Sequence, residues 1–308
     1  MTYFSFTFIN VILPIFLVIA AGAVMNTAFH IDIKSLTKLQ FYILMPSMLF
    51  LKVYESQLSS QVIKAATTVT LTAIISIVAM SMIIARFRGY SKSESSVFVN
   101  SSTFFNSGNY SLPLIQLLFN DPVAVSIQAI ILMAHNVAFF TIGIFTASSG
   151  NRSPKEALIN VLKMPLLYIM AFAAIMKSSG VIIPDPILDP LKILTDGYMA
   201  IALLTLGAQL SETKFTISNS RLYLSSFIRL IVSPAIAFLI VTLLGIDGLL
   251  ARVLVIGLGA PTAVNVVLTS IELDNEPEFA SQAVFTSTIL SMITINLVIM
   301  AAFALIPA

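Results

Sequence analysis

Asn100–Leu114, NSSTFFNSGNYSLPL, interrupts an apolar run that begins at Val97 and ends at Leu118. A helix that crosses a bilayer must satisfy its own backbone, so Asn106, Gly108, Asn109 and Pro113 near mid-depth are costly in lipid. The stretch is expected to line a protein-enclosed cavity and to form half of a substrate site.

The composition around it is that of an integral membrane protein. Hydrophobic residues make up 58% and charged residues 10% of the chain, against about 45–50% and about 25% in soluble domains. Apolar runs of about 20 residues recur throughout, which leaves no room for a separate soluble core. Residues 1–308 therefore read as one membrane domain. The first apolar run lacks a basic leader and an A-x-A-like cleavage site and is read as a retained span. With no Cys, disulfides and thiolate metal sites are excluded. A net charge of +2 gives no reason to expect a nucleic-acid partner.

Ten spans follow from the apolar runs: Phe4–Met25, Leu36–Val53, Val62–Ala85, Val97–Leu118, Val123–Ala147, Ala157–Met176, Leu191–Leu210, Leu222–Leu244, Leu249–Ile271 and Phe279–Ile306. The fold class is thus all-α and polytopic. With the N-terminus outside, ten Lys and Arg, among them Lys34, Arg86, Arg88, Lys92, Arg152 and Arg221, fall inside against five outside. That excess sets the orientation, with both termini facing out. The expected location is the cell (inner) membrane.

Splitting the chain at Ser148–Ser153 gives five spans on each side, and an odd number makes the halves inverted. Repeat one is then 1–148 and repeat two 154–308. The interruption in span four meets a counterpart in span nine, at Gly257, Gly259 and Pro261. Gly108 lies 11 residues after Val97 and Pro261 lies 12 after Leu249, so both breaks fall about 17 Å deep in a hydrocarbon layer about 30 Å thick. Pro14 and Pro165 also correspond between spans one and six.

Pro113 cannot donate to the carbonyl of Asn109, nor Pro261 to that of Gly257. If the helices open there, each supplies a half-helix N-terminus, and two such ends crossing back to front suit a carboxylate. Asn106, Asn109 and Asn265 add amides that donate to an anion or accept from a cation. The substrate-binding candidates are therefore Asn106, Gly108, Asn109, Pro113, Pro261 and Asn265. The competing structural reading is that the prolines only kink helices and the asparagines join them to neighbours.

His135 and Asn136 lie midway along span five, where an ionisable group is a candidate for coupling or substrate contact. The alternative for His135 is a neutral interhelical hydrogen-bonding partner. Arg229 either balances a ligand or a helix C-terminus, or snorkels to the inner surface. Asp196 is expected to offset a helix N-terminus near the outer interface, with Lys192 alongside. Spans four, five and nine carry no acidic residue. Walker, H-E-x-x-H and G-x-S-x-G patterns are absent, so neither an enzyme nor ATP-driven pumping is supported, and no metal or cofactor is called for.

NSGNYSLPL at Asn106–Leu114, LLTLGAQL at Leu203–Leu210, GAPTAVNV at Gly259–Val266 and TSTILSMITI at Thr286–Ile295 resemble the auxin efflux carrier family, which includes bacterial malate and malonate permease-like members. The resemblance covers essentially the whole chain. It implies the inverted five-plus-five fold of bile-acid symporters and sodium/proton antiporters. A scaffold part (1–53 and 157–210) would carry a transport part (62–147 and 222–306) that moves like an elevator. Spans four and nine would cross at the substrate, and the scaffold helices would form a homodimer.

Three positions depart from the family pattern. Span seven has no Pro near Tyr198 and Met199; Ser111 replaces a common Gly and is expected to crowd the crossing; Ala134, His135 and Asn136 stand where antiporter relatives carry acids. The expected function is secondary active or facilitative transport of a small organic anion, such as malate, malonate or an auxin-like acid, in the lipid bilayer. The alternative is a sodium- or proton-coupled symporter of an organic solute, using freed carbonyls near Gly108 and Gly257. A channel or receptor is a third reading.

Overall fold

The computed structural model describes residues 3–148, 165–213 and 220–307. The central break at Ser148–Ser153, the beginning of the sixth span and the inner cations Arg152, Lys155, Lys163 and Lys214 fall wholly or partly outside them. Among the described residues every regular element is a helix, and six helices are long and apolar enough to cross a membrane.

The helices, in chain order, are α1 (Phe4–Phe29) and α2, which runs through Ile33–Leu39, Gln40–Leu44 and Met45–Tyr54. Next come α3 (Ser60–Phe87), α4 (Lys92–Thr103), α5 (Ser107–Ser111 continuing as Leu112–Phe119) and α6 (Pro122–Ala147). The second part has α7 (Pro165–Ser178), α8 (Asp185–Ser211), α9 (Ser220–Leu243), α10 (Gly248–Gly257), α11 (Val264–Glu272) and α12 (Pro277–Leu305).

Local chemistry sets several starts. Asp32 accepts from the amides of Lys34 and Ser35 at the head of α2. Ser91 and Glu94 form a reciprocal capping box on α4, and Asp121 accepts from Val123 at the start of α6. Pro186, next to Asp185, opens α8. That places Asp196 eleven residues in, about three turns from the helix start. The expected dipole role for Asp196 is therefore corrected: the residue is exposed, and Lys192 pairs instead with Asp189 at 3.0 Å.

Prolines widen helices here rather than breaking them. Five π turns occur among the described residues, and those at Phe8–Ile12, Gln40–Leu44, Ser107–Ser111 and Ile228–Val232 are each followed at once by an Xaa-Pro pair. The pairs are Leu13-Pro14, Met45-Pro46, Leu112-Pro113 and Ser233-Pro234. A proline lacks the amide and its ring crowds the carbonyl four residues back, and a one-residue widening of the preceding turn relieves that contact.

The surface is apolar and much of the interior polar. Leu17, Phe87, Phe172 and Leu243 are exposed, while Thr70, Ser101, Ser102, Thr103 and Asn296 are wholly buried. That inversion suits a multi-pass membrane protein.

Helix α8 packs along α1 and α2, and α7 along α2. The α1–α8 contact needs glycine: a Cβ on Gly207 would sit 1.8 Å from the Ile19 carbonyl oxygen, and one on Gly22 would sit 2.1 Å from that of Leu204. Elsewhere α3 packs along α4, α6 and α9, while α10 and α11 lie along α12. At one end of this group Arg221 bridges Glu94 and Glu276, each at 3.1 Å, and covers the Phe279 ring.

Candidate functional site

The two interrupted stretches meet and pair. Between α4 and α5, and just ahead of α11, the chain is extended, and Phe105 and Thr262 form an antiparallel bridge. The amide of Asn106 donates to the Pro261 carbonyl at 2.7 Å and the amide of Ala263 to the Phe104 carbonyl at 2.9 Å. Backbone groups released by the two breaks thus satisfy one another, as groups away from water must.

The first break lies at Phe104–Asn106, upstream of Gly108 and Pro113 where the sequence placed it. Pro113 instead starts the regular part of α5, immediately after the widened turn. Pro261 does lie within the second break.

Four helix ends converge on this crossing. The N-termini of α5 and α11 face a cavity of about 80 Å³, lined by Ser107, Gly108 and Asn109 on one side and Val264 and Asn265 on the other. Its remaining walls include Thr37, Gln40 and Met45 from α2, His135 and Asn136 from α6, and Gln209 from α8. Among the described residues, no Asp, Glu, Lys or Arg lines it. Its positive character comes from the half-helix ends, each worth about half an elementary charge.

The site amides are held in place. Asn106 accepts from the Asn109 amide at 3.1 Å, capping the start of α5, and its Nδ2 is buried without a partner. Gln40 donates from Nε2 to Oδ1 of Asn109. Gln128 on α6 donates to the Ser107 carbonyl at 3.2 Å and to its hydroxyl at 3.1 Å. Helix α11 has no side-chain cap, which leaves its first amides to a ligand or water.

The C-termini of α4 and α10 point to Arg229 on α9. Its guanidinium donates to the Thr103 and Leu258 carbonyls and to the Ser233 hydroxyl, and lies over the Phe105 ring. Arg229 is wholly buried and no carboxylate among the described residues pairs with it. Snorkelling is thereby replaced by balancing of helix C-termini. On the cavity side of Phe105, His135 stacks edge-on at 4.5 Å, and at 5.7 Å on Phe104. Neither ring nitrogen makes a hydrogen bond of good geometry.

Residues 152–299 match the family described as Membrane transport protein. A protein of Methanothermobacter thermautotrophicus named an uncharacterized transporter is 25% identical over 274 residues, covering 86% of this chain and 88% of its own length. Over these stretches the chain is similar to membrane transport proteins.

Of the residues singled out in the transporter's sequence, Asn106, Gly108, Asn109, Asn265, His135 and Asn136 line one cavity. Pro113, Pro261 and Arg229 shape the crossing without lining it. Sequence reasoning missed Gln40, Gln128 and Gln209. Each is a lone amide in an apolar run, a signal as good as that of Asn136. Ser111, expected to crowd the crossing, uses its hydroxyl instead to hold the Gly257 carbonyl at 3.0 Å.

Proposed function

We propose that this transporter moves a small organic anion, a carboxylate such as malate, malonate or an auxin-like acid, by alternating access. The observation that carries the reading is the convergence of two half-helix N-termini and the Asn106, Asn109 and Asn265 amides on a cavity that no acidic residue among the described ones lines. Such a seat favours one negative charge.

The cavity also lies at a seam. Gln40 and Gln209 belong to the helices read as scaffold (1–53 and 157–210), and Asn106, His135 and Asn265 to those read as the moving part (62–147 and 222–306). This supports an elevator-type motion of one part past the other, in a ten-helix arrangement of two inverted repeats, 1–148 and 154–308. A homodimer through the scaffold helices would give the moving part a fixed frame. With both termini outside and a negative interior, uniport would expel the anion.

Purified protein in liposomes tests this with radiolabelled mono- and dicarboxylates. Saturable flux with counterflow is expected, and Asn109→Ala should abolish most of it. Full flux in that variant would overturn the seat, and single-channel currents would point to a channel instead.

A further inference from the structure

We propose that the Thr103 and Leu258 carbonyls and the Ser233 hydroxyl form a cation site that the chain fills with its own Arg229. The inference rests on the carrier reading but concerns the opposite face of the crossing.

The freed carbonyls at a broken helix are natural ligands for a mobile cation. Here both such ends are occupied. The Arg229 guanidinium donates to the carbonyls of Thr103, the last residue of α4, and Leu258, which caps α10, and to Ser233, whose hydroxyl also reaches the Leu258 carbonyl at 3.1 Å. Two helix C-termini carry about half a negative charge each, so one fixed cation balances the pair. A second cation beside a wholly buried guanidinium would meet a like charge in a medium that screens poorly. The planar fork reaches both carbonyls at once, which a point-like ammonium cannot do.

Two consequences follow. Binding at this spot needs no sodium, because its ligands are already engaged. The positive charge of the crossing also stays in place throughout the cycle, since Arg229 is covalently attached.

Removing the side chain should expose the vacancy. In detergent, Arg229→Ala should melt below the parent and regain much of the difference in millimolar guanidinium, or in sodium relative to choline; the parent should respond to neither. Arg229→Lys should fall between, and Asn109→Ala should show no such recovery. In liposomes, parent flux should be unchanged when sodium is replaced by choline, and Arg229→Ala flux should drop about tenfold or more, as loss of about 1.4 kcal/mol implies, with partial recovery in guanidinium.

Sodium-dependent flux or sodium-dependent stabilisation of the parent would overturn the proposal. So would a folded Arg229→Ala protein that neither cation stabilises. Should Arg229→Ala not fold, the sodium response of the parent and an intermediate Arg229→Lys decide the matter. The melting experiments need no substrate, so a parent that carries no carboxylate would defeat the carrier reading and leave this test standing.

Discussion

The hydroxyl of Ser111, in the first turns of α5, donates to the carbonyl of Gly257, the last residue of α10, at 3.0 Å. A residue of one interrupted stretch thereby closes the backbone of the other. A Cβ at Gly257 would meet Oε1 of Gln128 at 2.5 Å, so that side chain would have to turn aside for any larger residue. Ser111→Ala leaves this buried carbonyl only the Ala260 amide, at 3.4 Å, and the expected cost is about 1 kcal/mol. Thermal unfolding in detergent checks it, with Ser111→Thr as the variant that keeps the hydroxyl. Equal melting of parent and Ser111→Ala would show the contact to be energetically idle.

Gln40 on α2 orients Asn109 on α5, donating to its side-chain carbonyl. Gln40→Leu keeps the bulk and removes the donor, which frees the Asn109 amide to turn. We expect the KM for the transported solute to rise about tenfold, the equivalent of about 1.4 kcal/mol. Stability should change little, because leucine fills the buried Gln40 position and Asn109 is only partly buried. Initial rates against substrate concentration in liposomes separate the two, and an unchanged KM would remove Gln40 from the site.

The α1–α8 contact offers a sharp comparison between two glycines of one helix. Gly207 faces the Ile19 carbonyl with no space for a methyl group, whereas nothing lies within 4 Å of a Cβ at Gly197. Gly207→Ala must push the helices apart and should cost about 1–3 kcal/mol. Gly197→Ala should be neutral or stabilising by up to about 1 kcal/mol, since alanine is the better helix former. Melting both in one detergent gives the contrast, and equal shifts would refute the contact.

Far from the cavity, the Ser126 hydroxyl on α6 donates to the Lys52 carbonyl on α2 at 3.2 Å. The chain has no cysteine, so a Lys52→Cys, Ser126→Cys pair can be oxidised on a clean background. A disulfide there needs Cα atoms within about 7 Å. If α6 slides past α2 during transport, oxidation should stop flux and reduction restore it. Undiminished flux, with both thiols shown to be consumed, would exclude that sliding.

How far the sequence could be read follows from where its signals lie. Asn106 and Asn109 stand out because amides are rare in apolar runs, and Pro261 because it denies the helix a donor; neither inference needs a partner residue. The pairing of Phe105 with Thr262 joins stretches more than 150 residues apart, and no local pattern encodes it. The π turns explain a second shortfall. Each adds a residue to a turn and rotates everything beyond it, so a strict 3.6-residue reading of α2 loses the face that carries Gln40. Arg229 was ambiguous for a simpler reason: its depth allowed snorkelling, and only the arrival of two helix ends at one point made burial the better solution.

The bridge at Phe105 and Thr262 also bears on how such a chain can change. Two backbone hydrogen bonds run directly from one interruption to the other, so a substitution acceptable in the first is judged against the backbone of the second. The two stretches cannot drift independently, however far apart they lie in the gene. A graft of a new specificity into this chain would have to move both together, as one inherited part.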